Sequence, residues 1–252
     1  ALAVGAVSVF GLPKIISDQV AEFPDSIQNI ANKVQPKPVT IFDPPKYSID
    51  EADSIWVVVN KQRQISPLKY QPASLAFPAF PKPRVQNPFG LQMREDAAIA
   101  TVELATAMAA AGKGTLILNS GFRTYKNQQG LYNRTRDTRG LAVAEKLSAR
   151  PGHSEHQLGL AADFSVKGQG CVIMVCFGKT DAGIWLAENA HEYGFILRYP
   201  KGYKPVTGFQ YEPWHFRYVG VELATEMKTK GIKTLEEFWD LGPAPDYTEP
   251  AG

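Results

Sequence analysis

Three of the four histidines of this 252-residue chain fall into two short clusters, RPGHSEHQLGLAADF at 150–164 and YEPWHFRYVG at 211–220. In the first, His156 precedes Asp163 by seven residues, with Gly159 and two alanines between them. Imidazole nitrogen and carboxylate oxygen suit a borderline divalent cation such as Zn²⁺. The small residues let the backbone turn closely, so a loop histidine and a strand aspartate can converge. Two ligands do not make a site, and a lone histidine is more often a satisfied polar group of the fold. The second cluster offers a third ligand, His215. Three protein ligands leave one coordination position for water, the pattern of a catalytic rather than a structural zinc site. Glu212, three residues before His215, offers a carboxylate that can take a proton from water and hand it to a leaving amine. Pro213 excludes a helix interior here, so a turn or bulge must aim both side chains at one metal.

Periodicity and punctuation give the elements that must position these residues. SIWVVVN (Ser54–Asn60) is β-branched and predicts a first strand. The run REDAAIATVELATAMAAAGKG from Arg94 predicts a helix that stops at Gly112. TLILNS (Thr115–Ser120) predicts a buried strand ending in the turn SGFRT, with a polar helix carrying Gln128, Leu131 and Tyr132 behind it. LAADFSV (Leu160–Val166) alternates as a strand. Asp181 to Tyr193 reads as a helix with Asp181 as N-cap and Gly194 as stop, followed by a short strand over Phe195–Arg198. GVELATEMKTKG and TLEEFWDL are two further helices, the second with Thr234 and Glu237 at capping-box spacing. Helices and short strands mix without a βαβ rhythm, which makes the class α+β. Prolines 24, 36, 38, 44 and 45 interrupt every candidate helix of residues 20–50, which read as a linker, and the Pro-rich stretch 61–90 reads as a surface wrap. The expected organisation is an anchor remnant and linker over 1–50, one catalytic domain over 51–242 and a flexible tail over 243–252.

With these residues in place, the chain resembles the zinc D-alanyl-D-alanine carboxypeptidases of the VanY type, which share their fold with the zinc domain of hedgehog proteins. The pattern S-x-H-x-x-G-x-A-x-D is matched by Ser154, His156, Gly159, Ala161 and Asp163. E-x-W-H is matched by Glu212, Trp214 and His215. S-G-[YF]-R-[ST] followed by Q-x-x-L-Y is matched by Ser120, Gly121, Phe122, Arg123, Thr124, Gln128, Leu131 and Tyr132. WVVVNKQRQISPLKY is similar to the segment that leads into the family's domain, so the likeness runs from about Ser54 to Gly220. It implies a small antiparallel sheet with flanking helices around a single zinc. His156, Asp163 and His215 would ligate the ion, and Glu212 would be general base and then acid. Arg123 would hold the substrate carboxylate or the developing oxyanion with its planar fork of donors. Ser154, Gln128 and Ser120 would bind the substrate peptide, and His153 would sit at the rim. The implied substrate is the D-alanyl-D-alanine end of a peptidoglycan stem peptide. Two rivals keep the zinc and change the bond: an L,D-carboxypeptidase and an endopeptidase. A third drops catalysis for a cell-wall-binding module, and Glu212 beside a full ligand set argues against it, because binding alone needs no base.

Composition bounds the rest. Lys+Arg number 27 and Asp+Glu 25, a net charge of +2 that excludes a purely electrostatic nucleic-acid binder. With 44% hydrophobic and 21% charged residues the chain is an ordinary globular one, long enough to fold without a disulfide framework. Its two cysteines, Cys171 and Cys176, cannot supply a four-thiolate zinc site and lack Cys-x-x-Cys spacing. In an exported protein they would pair and pin a hairpin-like loop near the metal site, contributing about 2 kcal/mol at best. In a reducing compartment they would stay buried thiols. The apolar run Ala1–Leu12 is shorter than the ~20 residues that span a bilayer. It reads as the tail of a secretory signal or membrane anchor, or else as a first element packed on the core. The expectation is an extracytoplasmic monomer. Ser66-Pro-Leu-Lys69 matches S-x-x-K, but no K-T-G follows, and Gly178-Lys-Thr180 ends like a P-loop whose first glycine position holds Ile173.

Overall fold

The computed structural model describes residues 42–44 and 46–248, so the anchor and most of the linker expected over 1–50 lie outside the described residues. A short pair, β1 (Leu75–Ala76) with β2 (Met93–Arg94), precedes an antiparallel sheet of β3 (Leu116–Ser120), β4 (Ala161–Val166), β5 (Phe195–Leu197) and β6 (His215–Tyr218). The order across that sheet is β3–β4–β6–β5, so β4 and β6 are its inner strands. Ser120 faces Asp163 beyond a register shift in β3, and Asp163 faces His215 across β4 and β6.

All six residues of β4 are buried, although the sequence alternates. The alternation is chemical rather than solvent-related. Ala162, Phe164 and Val166 enter the apolar core with Phe195, Phe216, Leu116 and Leu118, while Asp163 and Ser165 turn to a polar but equally covered face.

The helices follow their sequence signals closely. Helix α1 (Glu95–Ala110) opens with Glu95 and Asp96, which favour the positive end of its dipole, and buries Leu104 and Met108. Helices α2 (Tyr125–Arg139) and α3 (Leu141–Leu147) form a hairpin around Gly140, with Thr124 capping α2. Helix α4 (Asp181–Asn189) is capped by Thr180 rather than Asp181: the threonine hydroxyl accepts from the Gly183 amide at 3.0 Å. A 3₁₀ turn over Ala190–Tyr193 replaces the last turn expected of that helix, and Gly194 ends it at φ +80°. Helix α5 (Gly220–Lys230) and a short helix capped by Thr234 follow, and two further single turns of helix lie at Pro83–Gln86 and Lys204–Thr207. Among the described residues no helix is long and apolar enough to cross a membrane.

Ser54–Asn60 is not a strand. Its side chains nevertheless alternate: Val57 and Val59 enter the main core, whereas Trp56 and Val58 enter a second cluster with Leu223 and Leu235. What it lacks is a partner strand. The carbonyls of Ile55 and Val57 accept from the Arg217 guanidinium at 3.1 and 2.8 Å, and that of Val59 accepts from Arg198 at 3.4 Å. Guanidinium groups occupy the place of a β-ladder. As far as it is described, the tail bonds back to neighbouring residues. The Ala244 amide bonds the Val206 carbonyl at 2.7 Å, and the Tyr247 hydroxyl accepts from the Arg150 amide at 2.8 Å.

Candidate active site

His156 lies in a 3₁₀ turn, Glu155–Leu158, immediately ahead of β4. Gly159 closes that turn at φ +69°, where a Cβ would meet the Arg94 amide nitrogen at 2.9 Å. This is why glycine follows the histidine at that spacing. Asp163 and His215 stand opposite each other on the two inner strands. One ligand atom from each of His156, Asp163 and His215 lies within 4.8 Å of the others, and all three residues are buried.

The ring partners decide which nitrogens face inward. His156 Nδ1 bonds the Gly121 carbonyl at 2.8 Å, leaving Nε2 at 3.4 Å from Asp163 Oδ2. Gly121 reaches this position because it packs directly on the backbone: a Cβ there would meet the Gln92 carbonyl oxygen at 2.5 Å. His215 is held the other way round, with Nε2 at 3.4 Å from Glu155 Oε2 and Nδ1 at 3.1 Å from Asp163 Oδ1. Two imidazoles thus turn one nitrogen each to a shared carboxylate, a donor set that fits zinc.

The electrostatics favour positive charge at this point. Burial opposes the Asp163 carboxylate, yet His156 and His215 hold its pKa well below the usual range. Burial opposes charge on His215 as well, but its bonds to Asp163 and Glu155 outweigh this and push it up to about 9.

Glu212 reaches the site through the turn that Pro213 requires. The His215 amide donates to the Glu212 carbonyl at 3.0 Å, and Glu212 Oε2 stands 3.9 Å from His215 Nδ1. Burial pushes the Glu212 carboxyl up to about 7, within reach of neutral pH. Arg123, Ser154, Glu212 and the three clustered residues line one cavity of about 340 Å³. Leu131, Leu147 and Ile173 belong to its wall.

Gln128 and Ser120, both expected to bind substrate, are bonded to Arg123, and Gln128 also lines the cavity. Gln128 is buried, and its amide oxygen accepts from Arg123 Nη1 at 2.7 Å while its nitrogen donates to the Ala149 carbonyl at 2.6 Å. Ser120 accepts from Arg123 Nη2 at 2.8 Å and does not line the cavity. Both accept from the guanidinium and fix its direction. His153 also stays outside the lining, bonded to the Asn60 carbonyl at 2.8 Å and edge-on to Tyr247. Cys171 and Cys176 are disulfide-bonded, and their loop leads into a 3₁₀ turn over Val175–Lys179 rather than forming a hairpin. Cys171 and Ile173 adopt φ of +55° and +48°, and Ile173 is the loop residue that reaches the cavity.

Sequence reasoning missed Glu155, whose side chain is fully enclosed and paired with Arg198 and Arg217, and Tyr199, tilted over the His215 ring at 4.8 Å. The one signal for Glu155 was a charged residue beside a candidate ligand.

An α+β domain that gathers two histidines, an aspartate, a further buried carboxylate and a guanidinium in one cavity has the layout of a zinc peptidase. The chain belongs to the VanY family, D-alanyl-D-alanine carboxypeptidase, whose family model matches residues 90–221. It is 35% identical over 196 residues to YodJ of Bacillus subtilis (strain 168), covering 77% of this chain and 70% of that one. Among solved structures it is similar to the LD-carboxypeptidase LdcB, with TM-score 0.69 and 35% identity over 75% of this chain and 87% of that one. It is similar also to the vancomycin-resistance D,D-pentapeptidase VanY in complex with Zn(II), with TM-score 0.60 and 32% identity over 74% of this chain and 99% of that one.

Proposed function

We propose that this chain is a zinc-dependent carboxypeptidase that hydrolyses the terminal D-alanyl-D-alanine bond of peptidoglycan stem peptides. The observation that carries the reading is the placement of Glu212, a buried carboxylate 3.9 Å from His215 in the cavity that holds all three candidate ligands. His156, Asp163 and His215 would hold one ion, which when bound supplies Lewis acidity, polarising a carbonyl and lowering the pKa of water towards ~7. Glu212 takes a proton from the attacking water and passes it to the amine nitrogen of the departing D-alanine. Arg123 pairs with the terminal carboxylate or the developing oxyanion. Two of its donors are engaged by Gln128 and Ser120, out of the five a guanidinium carries, so it is aimed before substrate arrives. The Cys171–Cys176 disulfide supports an oxidising, extracytoplasmic setting.

A second reading, L,D-carboxypeptidase activity on tetrapeptides, is favoured by the likeness to LdcB. Incubation of the zinc-loaded protein with defined penta- and tetrapeptide muropeptides separates the two. Release of D-alanine from the pentapeptide is expected, and cleavage of the tetrapeptide alone would transfer the assignment to the second reading.

A further inference from the structure

Glu155 occupies the variable place of the Ser154-x-His156 pattern, and its surroundings are built with unusual completeness. Its side chain is 0% exposed, a costly position for a carboxylate unless charge and hydrogen bonds are both satisfied. Oε1 accepts from Arg198 Nε at 2.8 Å and from Arg217 Nη1 at 2.8 Å. Oε2 faces His215 Nε2 at 3.4 Å. Arg198 bonds Glu236 through Nη1 at 2.9 Å and Nη2 at 2.7 Å, and Glu236 also accepts from Asn60 at 3.0 Å. Two carboxylates and two guanidiniums cancel in charge and tie together the 55–60 segment, the end of β5, β6 and the helix that follows Thr234. A knot that served folding alone could spend both oxygens of Glu155 on arginine. Here one oxygen is turned to a histidine whose opposite nitrogen enters the site.

We propose that Glu155 is a positioning residue of the metal site: by accepting the Nε2 proton of His215 it fixes the tautomer that leaves Nδ1 bare, and Arg198 and Arg217 hold Glu155 in place for that purpose. The proposal rests on the reading of His215 as a zinc ligand. A carboxylate behind a ligating imidazole orients the ring and raises its basicity, and loss of such a partner typically costs about 10–100-fold in metal affinity or activity. His156 has a neutral carbonyl, Gly121, in the same role, so the two histidines are not equivalent. The charged support belongs to His215.

The test uses the zinc-loaded full chain. Competition with a chromophoric chelator should show zinc bound about 10–100-fold more weakly in Glu155→Gln than in the wild type. Glu155→Asp keeps the charge that the arginines need but shortens the reach to His215, so it should lose affinity as well, with a smaller fall in unfolding midpoint. Nitrogen-edited NMR of the zinc-loaded wild type, which needs no variant to fold, should show His215 protonated at Nε2. Unchanged zinc affinity in both variants, or a proton on Nδ1 instead, overturns the proposal. Failure of the underlying reading has a different appearance: His215→Ala then keeps its zinc, and both assignments fall together.

Discussion

The two walls of the cavity are built by opposite means. On the metal side, Asp163 and His215 are cross-strand partners on the inner strands, and the ionic group of Glu155, Arg198, Arg217 and Glu236 lies buried behind them. On the other side, Arg123 sits in a turn, propped by two side chains, beside the α2–α3 hairpin and the disulfide loop. That wall exposes apolar side chains: Leu131 is 38%, Ile173 44% and Leu147 55% accessible. Backbone register and matched charges make the first wall rigid, while the second can change residue by residue at small cost. On the proposed function, the metal chemistry would reside in the first wall and the choice of peptide in the second.

The largest effects should come from breaking the first wall. Asp163→Ala is expected to lose both zinc and turnover, read by metal content and D-alanine release. Glu212→Gln should keep its zinc yet lose at least about 10²–10⁴-fold in kcat, because the amide preserves shape and removes the proton carrier. Near-normal kcat with zinc bound would place the base elsewhere.

Next in size is the support behind the ligands. Arg198→Met leaves Glu155 and Glu236 short of positive charge and should cost about 3–5 kcal/mol in urea unfolding at neutral pH. The same network sets the acid limit. Burial opposes the charge on both glutamates, but the arginines hold Glu155 and Glu236 below the ordinary carboxylate range. A depressed native pKa contributes stability that is present above the unfolded value of about 4.3 and is lost as pH falls towards the native one. Unfolding free energy should therefore decline below about pH 4, and less steeply in Arg198→Met. An identical slope in both proteins would remove these carboxylates from the account.

Smaller effects are expected on the second wall. Arg123→Ala should retain zinc and lose roughly 10–100-fold in kcat/KM, the equivalent of one charged hydrogen-bonding group at about 1.5–3 kcal/mol. Ile173→Ala should shift kcat/KM by less than about tenfold, since the side chain is already 44% exposed, and should leave zinc affinity unchanged. A change in zinc affinity from either substitution would dissolve the distinction between the walls.

What could be read beforehand follows the same division. His156, Asp163, His215 and Glu212 were legible because their residue types are chemically specific and two clusters hold them all. Arg123 was found through a motif, but its bonds to Gln128 and Ser120 were not, since spacing alone does not say which neighbour a polar side chain meets. The network behind His215 was invisible: its members stand at 155, 198, 217 and 236, and charged residues are ordinarily assigned to the surface. Helix α1 and strand β3 were readable from periodicity, whereas the cap of α4 was misplaced by one residue because Thr180 and Asp181 are both competent. The Tyr247–Arg150 contact was not legible, because proline content carries no record of it.

The segment 54–60 has a consequence for how this domain can be cut and joined. Its odd-numbered carbonyls, Ile55, Val57 and Val59, face the guanidiniums of Arg217 and Arg198, while the Val58 carbonyl points the other way and accepts from Arg63 Nε at 3.1 Å. A single-residue insertion or deletion there would exchange the two sets and send Trp56 and Val58 towards the wrong cluster. The stretch tolerates length changes no better than a central strand would, although the family match begins only at residue 90. A chimera or truncation with its junction drawn at that homology boundary would leave Arg198 and Arg217 without these carbonyl acceptors, so an exchangeable module has to start upstream of Ser54.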